Sequence, residues 1–571
     1  MIQGVAASPG VALGPAYVLR PADISVGETR IDPSQVENEI GRLEAAIAEA
    51  AAQLEALRKA AGEKEAGEIL GAQILMLDDP GLTGAIESAV RDEKFSVEWA
   101  VQKATEQYAA MLDGLEDEYI RERAADVRDI GRRLIRVLKG LGASGPSLDK
   151  PSIVVAQDLT PSETASLDES MVLGIAIDRG STTCHTAILA RAKGIPAVVG
   201  AAPVSSGAPT GTTIAIDGTS GTVEIDPSPE AIDRYMAAIE GEKREKARLA
   251  ATKFLPARTL DDVGIEVSAN IGFPGDVPVA LGNGAEGVGL FRTEFLFMNR
   301  NSPPSEEEQY ESYAEALSGM GGRPVVIRTL DIGGDKDIPY LNLPAEMNPF
   351  LGWRALRMCL DRPEILRTQL RAIYRASVHG KAKIMFPMVA TIEEVRAARD
   401  MVAEVTREFD RLGTPYGSGV EVGIMVEIPS AAVMARSLGG AVDFFSIGTN
   451  DLTQYTMAVD RTNERVARLY DALHPSVLRL IALVAEGAGA NGIWAGMCGE
   501  LAGDPLATGL LVGLGLTELS VSMPLIPRVK ENVRSLTMKT AREIADRVMA
   551  MDTAGEIREY LSSTSCARGG K

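Results

Sequence analysis

From about Leu260 to the end of the chain, eight short apolar segments recur with helical patterns between most of them, and few folds accept that order. The segments are Ile265–Ile271, Gly287–Phe291, Pro324–Leu330, Lys383–Met388, Glu421–Glu427, Asp443–Ile447, Gly492–Cys498 and Leu519–Ser522. Strand followed by helix signals parallel pairing, because a parallel neighbour is reached only through a crossover. Eight such units in roughly 300 residues predict a (β/α)8, TIM-like barrel over 257–571.

The remaining residues are too many to join that core, and their periods differ. Residues 1–28 contain a strand-like stretch, Gly4–Leu19, punctuated by glycine and proline. Across 29–144, Ile40, Leu43, Ile47, Leu54 and Leu57 recur at helical steps or whole heptads. Asp32-Pro33-Ser34 reads as a helix start and Asp79-Pro80 as a stop, and Asp129 and Arg133 as a surface pair. Over 145–228 the period shortens again. Ser152–Ala156, Val172–Ile177, Ile214–Ile216 and Thr222–Ile225 read as strands, with one helix, Thr183–Lys193, among them. A compact β/α domain is expected there, its sheet completed by the first segment, with the all-helical stretch inserted. Residues 229–256 read as a polar helical linker ended by Pro256, and the tail after Ser562 as frayed. The fold class is therefore α/β and multidomain.

A net charge of −21 argues against nucleic acid as a partner, because phosphate backbones require a basic surface. No run of about 18 apolar residues is present, so membrane insertion is not expected. Met1-Ile2-Gln3-Gly4 lacks the features of a signal peptide. Cys184, Cys359, Cys498 and Cys566 are scattered, without a metal or redox spacing, which fits a reducing cytoplasm.

In a barrel of this kind, the strands' C-terminal ends hold the active site. Arg292, Arg328, Glu427, Asn450, Asp451, Arg461 and Cys498 fall at or just beyond those ends. Arginine forks bind phosphate and keep their charge at neutral pH. Two carboxylates, Glu427 and Asp451, together with substrate oxygens suit Mg²⁺. The rim therefore reads as a site for a small phosphorylated anion. The Cys498 thiol, protonated at neutral pH, is a candidate proton donor to an enolate carbon. A second constellation is Gly180-Ser181-Thr182-Thr183-Cys184-His185, a small-residue loop entering a helix. A helix N-terminus favours bound phosphate, so His185 is a candidate phosphoryl carrier. His379 and His474 have no such loop and read as structural.

Together these motifs resemble enzyme I of the bacterial sugar phosphotransferase system, the phosphoenolpyruvate-protein phosphotransferases. The resemblance runs the whole length. It includes Gly10-Val11-Ala12, Glu122 to Asp129, Asp158-Leu159-Thr160-Pro161-Ser162-Glu163 and Asn348-Pro349-Phe350-Leu351-Gly352-Trp353-Arg354. It implies that His185 is phosphorylated by phosphoenolpyruvate and passes the group to a histidine of the carrier HPr. It implies that Arg292, Arg328, Asn450, Asp451 and Arg461 contact phosphoenolpyruvate, that Glu427 and Asp451 hold Mg²⁺, and that Cys498 is the general acid that completes pyruvate. The helical insertion is then the HPr-docking module, 145–228 a swivelling phosphohistidine domain, and the barrel the dimerisation domain. Cys184 departs from the serine usual before the histidine and is similar to phosphoenolpyruvate synthase. That relative needs a nucleotide-binding domain for which no Gly-rich phosphate loop is seen here, so ATP use is not expected. A nitrogen-regulatory paralogue with an added N-terminal sensory domain is not expected from a chain starting at Met1.

Overall fold

The computed structural model describes residues 1–19, 26–61, 65–113, 118–141, 148–160, 163–164, 167–168, 170–181, 184–298, 300–334, 338–344, 346–463 and 465–564, with backbone alone at 60–61, 65–69, 113, 118–123, 125, 185 and 192. Two compact units divide the chain between Glu245 and Lys246.

The first unit is built on one eight-stranded sheet. Its strands are β1 (Ile2–Gln3), β2 (Val5–Ser8), β3 (Val11–Leu19), β4 (Ser152–Ala156), β5 (Val172–Ile177), β6 (Ala197–Val199), β7 (Thr213–Asp217) and β8 (Thr222–Ile225), in the spatial order β1-β8-β7-β3-β4-β5-β6-β2. β4 is buried on both faces. Ile153 and Val155 join one core, with Ile214 and Ile216, while Val154 and Ala156 join the other, with Ile175 and Ile177. That division is the two-residue period of a strand sandwiched between layers. β3 and β4 pair in parallel, Ala16 opposite Ile153, yet everything from α1 to α5 lies between them in sequence. The inserted helices are α1 (Val36–Ala61), α2 (Glu65–Leu77), α3 (Pro80–Arg91), α4 (Val97–Asp113) and α5 (Glu118–Leu138), and they enclose their own core around Leu43, Leu54, Ile86 and Leu134.

Three readings change in this unit. β1, β2 and β6 were not expected as separate strands, since two to four residues are too few to show a period. Asp79-Pro80 does more than stop α2. The Asp79 carboxylate accepts hydrogen bonds from the amides of Gly81 and Leu82, and so also starts α3. Asp129 is not on the surface; it is 6% exposed and accepts a hydrogen bond from Gln73 Nε2 at 3.2 Å.

The second unit is a closed barrel of eight parallel strands: β9 (Glu266–Ile271), β10 (Val288–Arg292), β11 (Pro324–Arg328), β12 (Lys381–Phe386), β13 (Glu421–Val426), β14 (Phe444–Ile447), β15 (Trp494–Met497) and β16 (Glu518–Val521). β16 closes on β9 with Glu518 opposite Glu266. All eight expected segments are strands, their ends shifted by at most two residues. The large core lies between the strands and the surrounding helices, and includes Val267, Phe291, Ile327, Ile384, Ile424, Phe445 and Leu519. A smaller cluster fills the barrel interior: Leu290, Val326, Met385, Met425, Phe444 and Cys498. Gly423 makes room for it, since a Cβ there would stand 2.5 Å from the Phe444 ring. Among the described residues no helix is long and apolar enough to cross a membrane.

Candidate active site

The barrel strands end in charge. Arg292 and Arg328 are the last residues of β10 and β11 and face each other in register. Arg292 is half-buried, whereas Arg328 is buried and held from two sides. Its Nη2 donates to Glu294 Oε1 at 2.6 Å, and its Nη1 lies 2.9 Å from Asp331 Oδ2. Arg354, 3% exposed, stands beside it, with Nη2 2.8 Å from Asp331 Oδ1 and 3.6 Å from Asp451 Oδ2. Burial opposes the charge of both guanidiniums, but Glu294, Asp331 and Glu427 around Arg328, and Asp331 and Asp451 around Arg354, more than offset it. Both therefore stay protonated. Neither Nε has a hydrogen-bond partner, and both are enclosed.

Glu427 follows β13, and its Oε1 accepts from the Met388 amide at 2.6 Å. Met388 is a non-glycine residue at φ +57°, a conformation held only where the surroundings fix it. Gly448 leaves space for the carboxylate; a Cβ there would lie 2.9 Å from Glu427 Oε2. Burial, then the carboxylates of Asp451 and Asp331, raise Glu427, while Arg328 and Arg354 pull it back; the balance is upward, to about 8. Asn450 and Asp451 occupy the first turn of the helix Thr449–Met457. Asn450 exchanges two hydrogen bonds with Glu500, at 3.1 and 3.0 Å, tying β14's loop to β15's. Cys498 lies just past β15 inside the barrel, its thiol donating toward the Ile447 carbonyl at 3.8 Å; burial pushes it up to about 12. Arg461 is exposed, its backbone amide donating to Gln454 Oε1 at 3.2 Å.

Arg328, Glu427 and Asp451 are thus brought into one electrostatic cluster, Asn450 and Cys498 adjoin it on neighbouring strand ends, and Arg461 lies on the outer loop. Sequence reasoning did not name Glu294, Asp331 and Arg354 as members, although Glu294 and Asp331 lie within three residues of expected strands and Arg354 ends the Asn348 to Arg354 motif. Asp331 directly follows the apolar run that ends at Leu330, which was the available signal; Glu294 and Arg354 carried none. The donor set suits a hard cation: Glu427 and Asp451 offer carboxylate oxygens close enough to raise the former's proton affinity. Among the described residues no group of three or more His, Cys, Asp or Glu side chains forms a cage, and Mg²⁺, which retains waters and takes substrate oxygens, needs only one or two protein carboxylates.

In the first unit, His185 is the first residue of helix α6 (His185–Lys193). Its side chain, with Thr182 and Thr183 of the expected loop, lies outside the described atoms. The helix begins two residues later than expected, with Cys184 at the N-cap. A serine there caps by accepting an amide hydrogen bond; Cys184 makes no side-chain cap, and burial raises its thiol. Gly180, at φ +110°, supplies the turn, and a Cβ on it would lie 2.9 Å from Cys184 Sγ. Ala187 and Ala190 bury the helix against the sheet. His379 contacts the Tyr310 hydroxyl at 3.0 Å, and His474 caps the helix Pro475–Asn491.

Comparison with known proteins gives a consistent picture. The family described as PEP-utilising enzyme, PEP-binding domain matches residues 246–538; the N-terminal and mobile domains of PEP-utilising enzymes match 3–123 and 148–221. The chain is 46% identical to the phosphoenolpyruvate-protein phosphotransferase of Geobacillus stearothermophilus, over 99% of this chain and 98% of that protein. It is 43% identical to that of Bacillus subtilis strain 168, over 99% of each. An NMR solution structure of Enzyme I (nEIt) covers 43% of this chain and all of its own, at 37% identity and a TM-score of 0.37.

Proposed function

The chain belongs to the phosphoenolpyruvate-protein phosphotransferase family, and from that premise we propose how its residues divide the work of moving a phosphoryl group from phosphoenolpyruvate to a protein. The observation that carries the proposal is the buried Arg328–Asp331–Arg354 network, set beside Glu427 and Asp451 at the barrel rim. Phosphoryl transfer demands positioning and charge neutralisation above all, and such a rim offers both. Arg292, Arg328 and Arg461 bind the phosphate and carboxylate oxygens, and Asn450 and Asp451 orient the substrate. Glu427 and Asp451 hold Mg²⁺, which when bound neutralises charge on the phosphoryl oxygens.

When His185 reaches the rim, its ring nitrogen attacks phosphorus, and the bond from phosphorus to the enol oxygen breaks. The departing enolate takes the Cys498 proton at carbon, giving pyruvate and a thiolate that solvent reprotonates. A thiol held to about 12 keeps its proton until so strong a base appears. His185 then passes the phosphoryl group to a histidine of an HPr-like carrier. We assign carrier docking to the helical insertion (29–144), the phosphohistidine module to 1–28 and 145–228, the linker to 229–256, and substrate binding and homodimer formation to 257–571. A cytoplasmic location agrees with the free thiols of Cys184, Cys359 and Cys498.

The test is protein-bound label from radiolabelled phosphoenolpyruvate with Mg²⁺. Acid-labile, base-stable label, absent in His185→Ala and transferable to HPr, is the expected result. No label on the wild type would overturn the assignment, and label from ATP alone would point to a synthase.

A further inference from the structure

The loop that leads into Arg354 carries little packing of its own. Met347 is 98% exposed and Leu351 65%, although Arg354, shortly after them, is buried. Such a stretch holds its shape where hydrogen bonds pin it. Glu346 accepts from the Trp353 amide at 3.1 Å, and Arg357 Nη1 donates to the Leu351 and Gly352 carbonyls, each at 3.3 Å. Those partners belong to the same stretch of chain. Another bond comes from elsewhere in the barrel: the Tyr455 hydroxyl donates to the Phe350 carbonyl at 2.5 Å.

Tyr455 stands on the helix Thr449–Met457, one turn beyond Asp451 and on the same face. Three parts of the rim meet at its oxygen. Besides the Phe350 carbonyl, it lies 3.5 Å from the donor Arg354 Nη1 and 3.9 Å from Met388 Sδ. Met388 is the residue whose amide holds Glu427. A phenol donates one proton and accepts at its lone pairs, so it serves the carbonyl and the guanidinium together. Burial pushes the Tyr455 hydroxyl up to about 12, against the pull of Arg354, so the proton that binds Phe350 is retained at neutral pH. Arg354 Nη2 is fixed by Asp331 at 2.8 Å. A single such contact leaves the guanidinium free to tilt. Its plane is set by what stands near Nη1, the Tyr455 oxygen, and by the Phe350 ring, 5.8 Å from Cζ.

We propose that Tyr455 is a positioning residue for phosphoryl transfer from phosphoenolpyruvate: its hydroxyl ties the loop after β11 to the helix after β14, and so sets the buried guanidinium of Arg354 beside Asp451. The inference rests on the catalytic reading above. Tyr455 acts through Arg354 and through the loop, not on the reacting atoms. It also explains why a loop so exposed at Met347 and Leu351 delivers a charged group to one buried place.

Tyr455→Phe removes the oxygen and keeps the ring, and its effect is read twice on the full-length protein. Hydrogen exchange, without substrate or Mg²⁺, is expected to quicken by about fivefold at the amides of Leu351, Gly352 and Trp353, the worth of one neutral hydrogen bond, and to stay unchanged along the 449–457 helix. Labelling from phosphoenolpyruvate is expected to show KM raised by about fivefold with kcat held within about twofold. A variant that is merely less well folded loses active protein, which lowers the apparent kcat and leaves KM alone. Unchanged exchange at the three amides, or an unchanged KM, would overturn the proposal. Should Tyr455→Phe fail to fold, the wild type decides: protection of the Leu351 and Gly352 amides by about tenfold or more supports the tie, and exchange at the rate of an unstructured chain overturns it. A wild type that takes no label from phosphoenolpyruvate would sink the catalytic reading, while exchange would still decide whether the hydroxyl holds the loop, so the two failures are told apart.

Discussion

Asp331 is the residue on which the rim's charge balance turns, and Asp331→Asn tests that reading. Its two oxygens divide between two buried guanidiniums, Oδ2 at 2.9 Å from Arg328 and Oδ1 at 2.8 Å from Arg354. The three side chains are between 3% and 8% exposed, so solvent does little to screen them. Breaking a buried pair by removing one partner costs about 3–5 kcal/mol, because a charge is left unpaired in a medium that solvates it poorly. Asparagine keeps the shape and one acceptor oxygen. Arg328 also keeps Glu294 at 2.6 Å, while Arg354 falls back on Asp451 at 3.6 Å. The loss therefore falls mainly on Arg354, and about 3 kcal/mol, the lower end of the range, is the expected cost. In a unit of this size that corresponds to a fall in Tm on the order of 5 °C.

Calorimetry of the whole chain is the assay, read on the barrel transition because two units need not melt together. Adding Arg354→Met removes the stranded cation, so the double variant should recover at least about 1 kcal/mol relative to the sum of the single changes. The KM for phosphoenolpyruvate should rise in Asp331→Asn, since Arg354 would be drawn toward Asp451. A single variant that melts within about 1 °C of wild type, with no coupling in the double variant, would show that Asp331 does not hold the two arginines and would refute the argument.

Two further tests address the chemistry. Cys498→Ala should nearly abolish net transfer from phosphoenolpyruvate while leaving phosphate exchange between His185 and the carrier intact; equal loss of both, measured with labelled carrier, would remove the thiol's separate role. Glu427 has a folded-state value raised from 4.5 to about 8, so in metal-free protein the unfolded chain ionises it first and stability falls as pH climbs through that window. Glu427→Gln should therefore melt higher than wild type at about pH 8.5 and level with it below the unfolded value, at about pH 4, and in the wild type Mg²⁺ affinity should rise over the same interval because binding must displace the proton.

How much of this was legible follows from what a period can encode. Eight apolar segments separated by helical patterns located every barrel strand, because burial on both faces writes itself as an uninterrupted run, as in Ile424–Val426. Ends were less certain: Lys381 begins β12 although its side chain is exposed, since backbone pairing with Pro324 sets the boundary. Charge at the end of an apolar run is how Arg292, Arg328 and Glu427 stood out, although Asp331, in the same position after Leu330, was passed over. Burial of charge was not visible, and this separates what was found from what was missed. Glu294 lies two residues past Arg292 and reads as ordinary surface, yet it is 2% exposed and grips Arg328. Arg354 is reached only through a loop whose path the sequence does not specify. Glu518 shows the same limit at the other mouth: a glutamate opening a short strand reads as a solvated turn, and only the positions of Gly289 and Gly496 reveal that it points inward. A carboxylate enclosed in a barrel is thus recorded less in its own identity than in the missing side chains around it, here Gly289 of β10 and Gly496 of β15, and interior glycines on nearby strands are the pattern by which such an enclosed carboxylate could be sought from sequence.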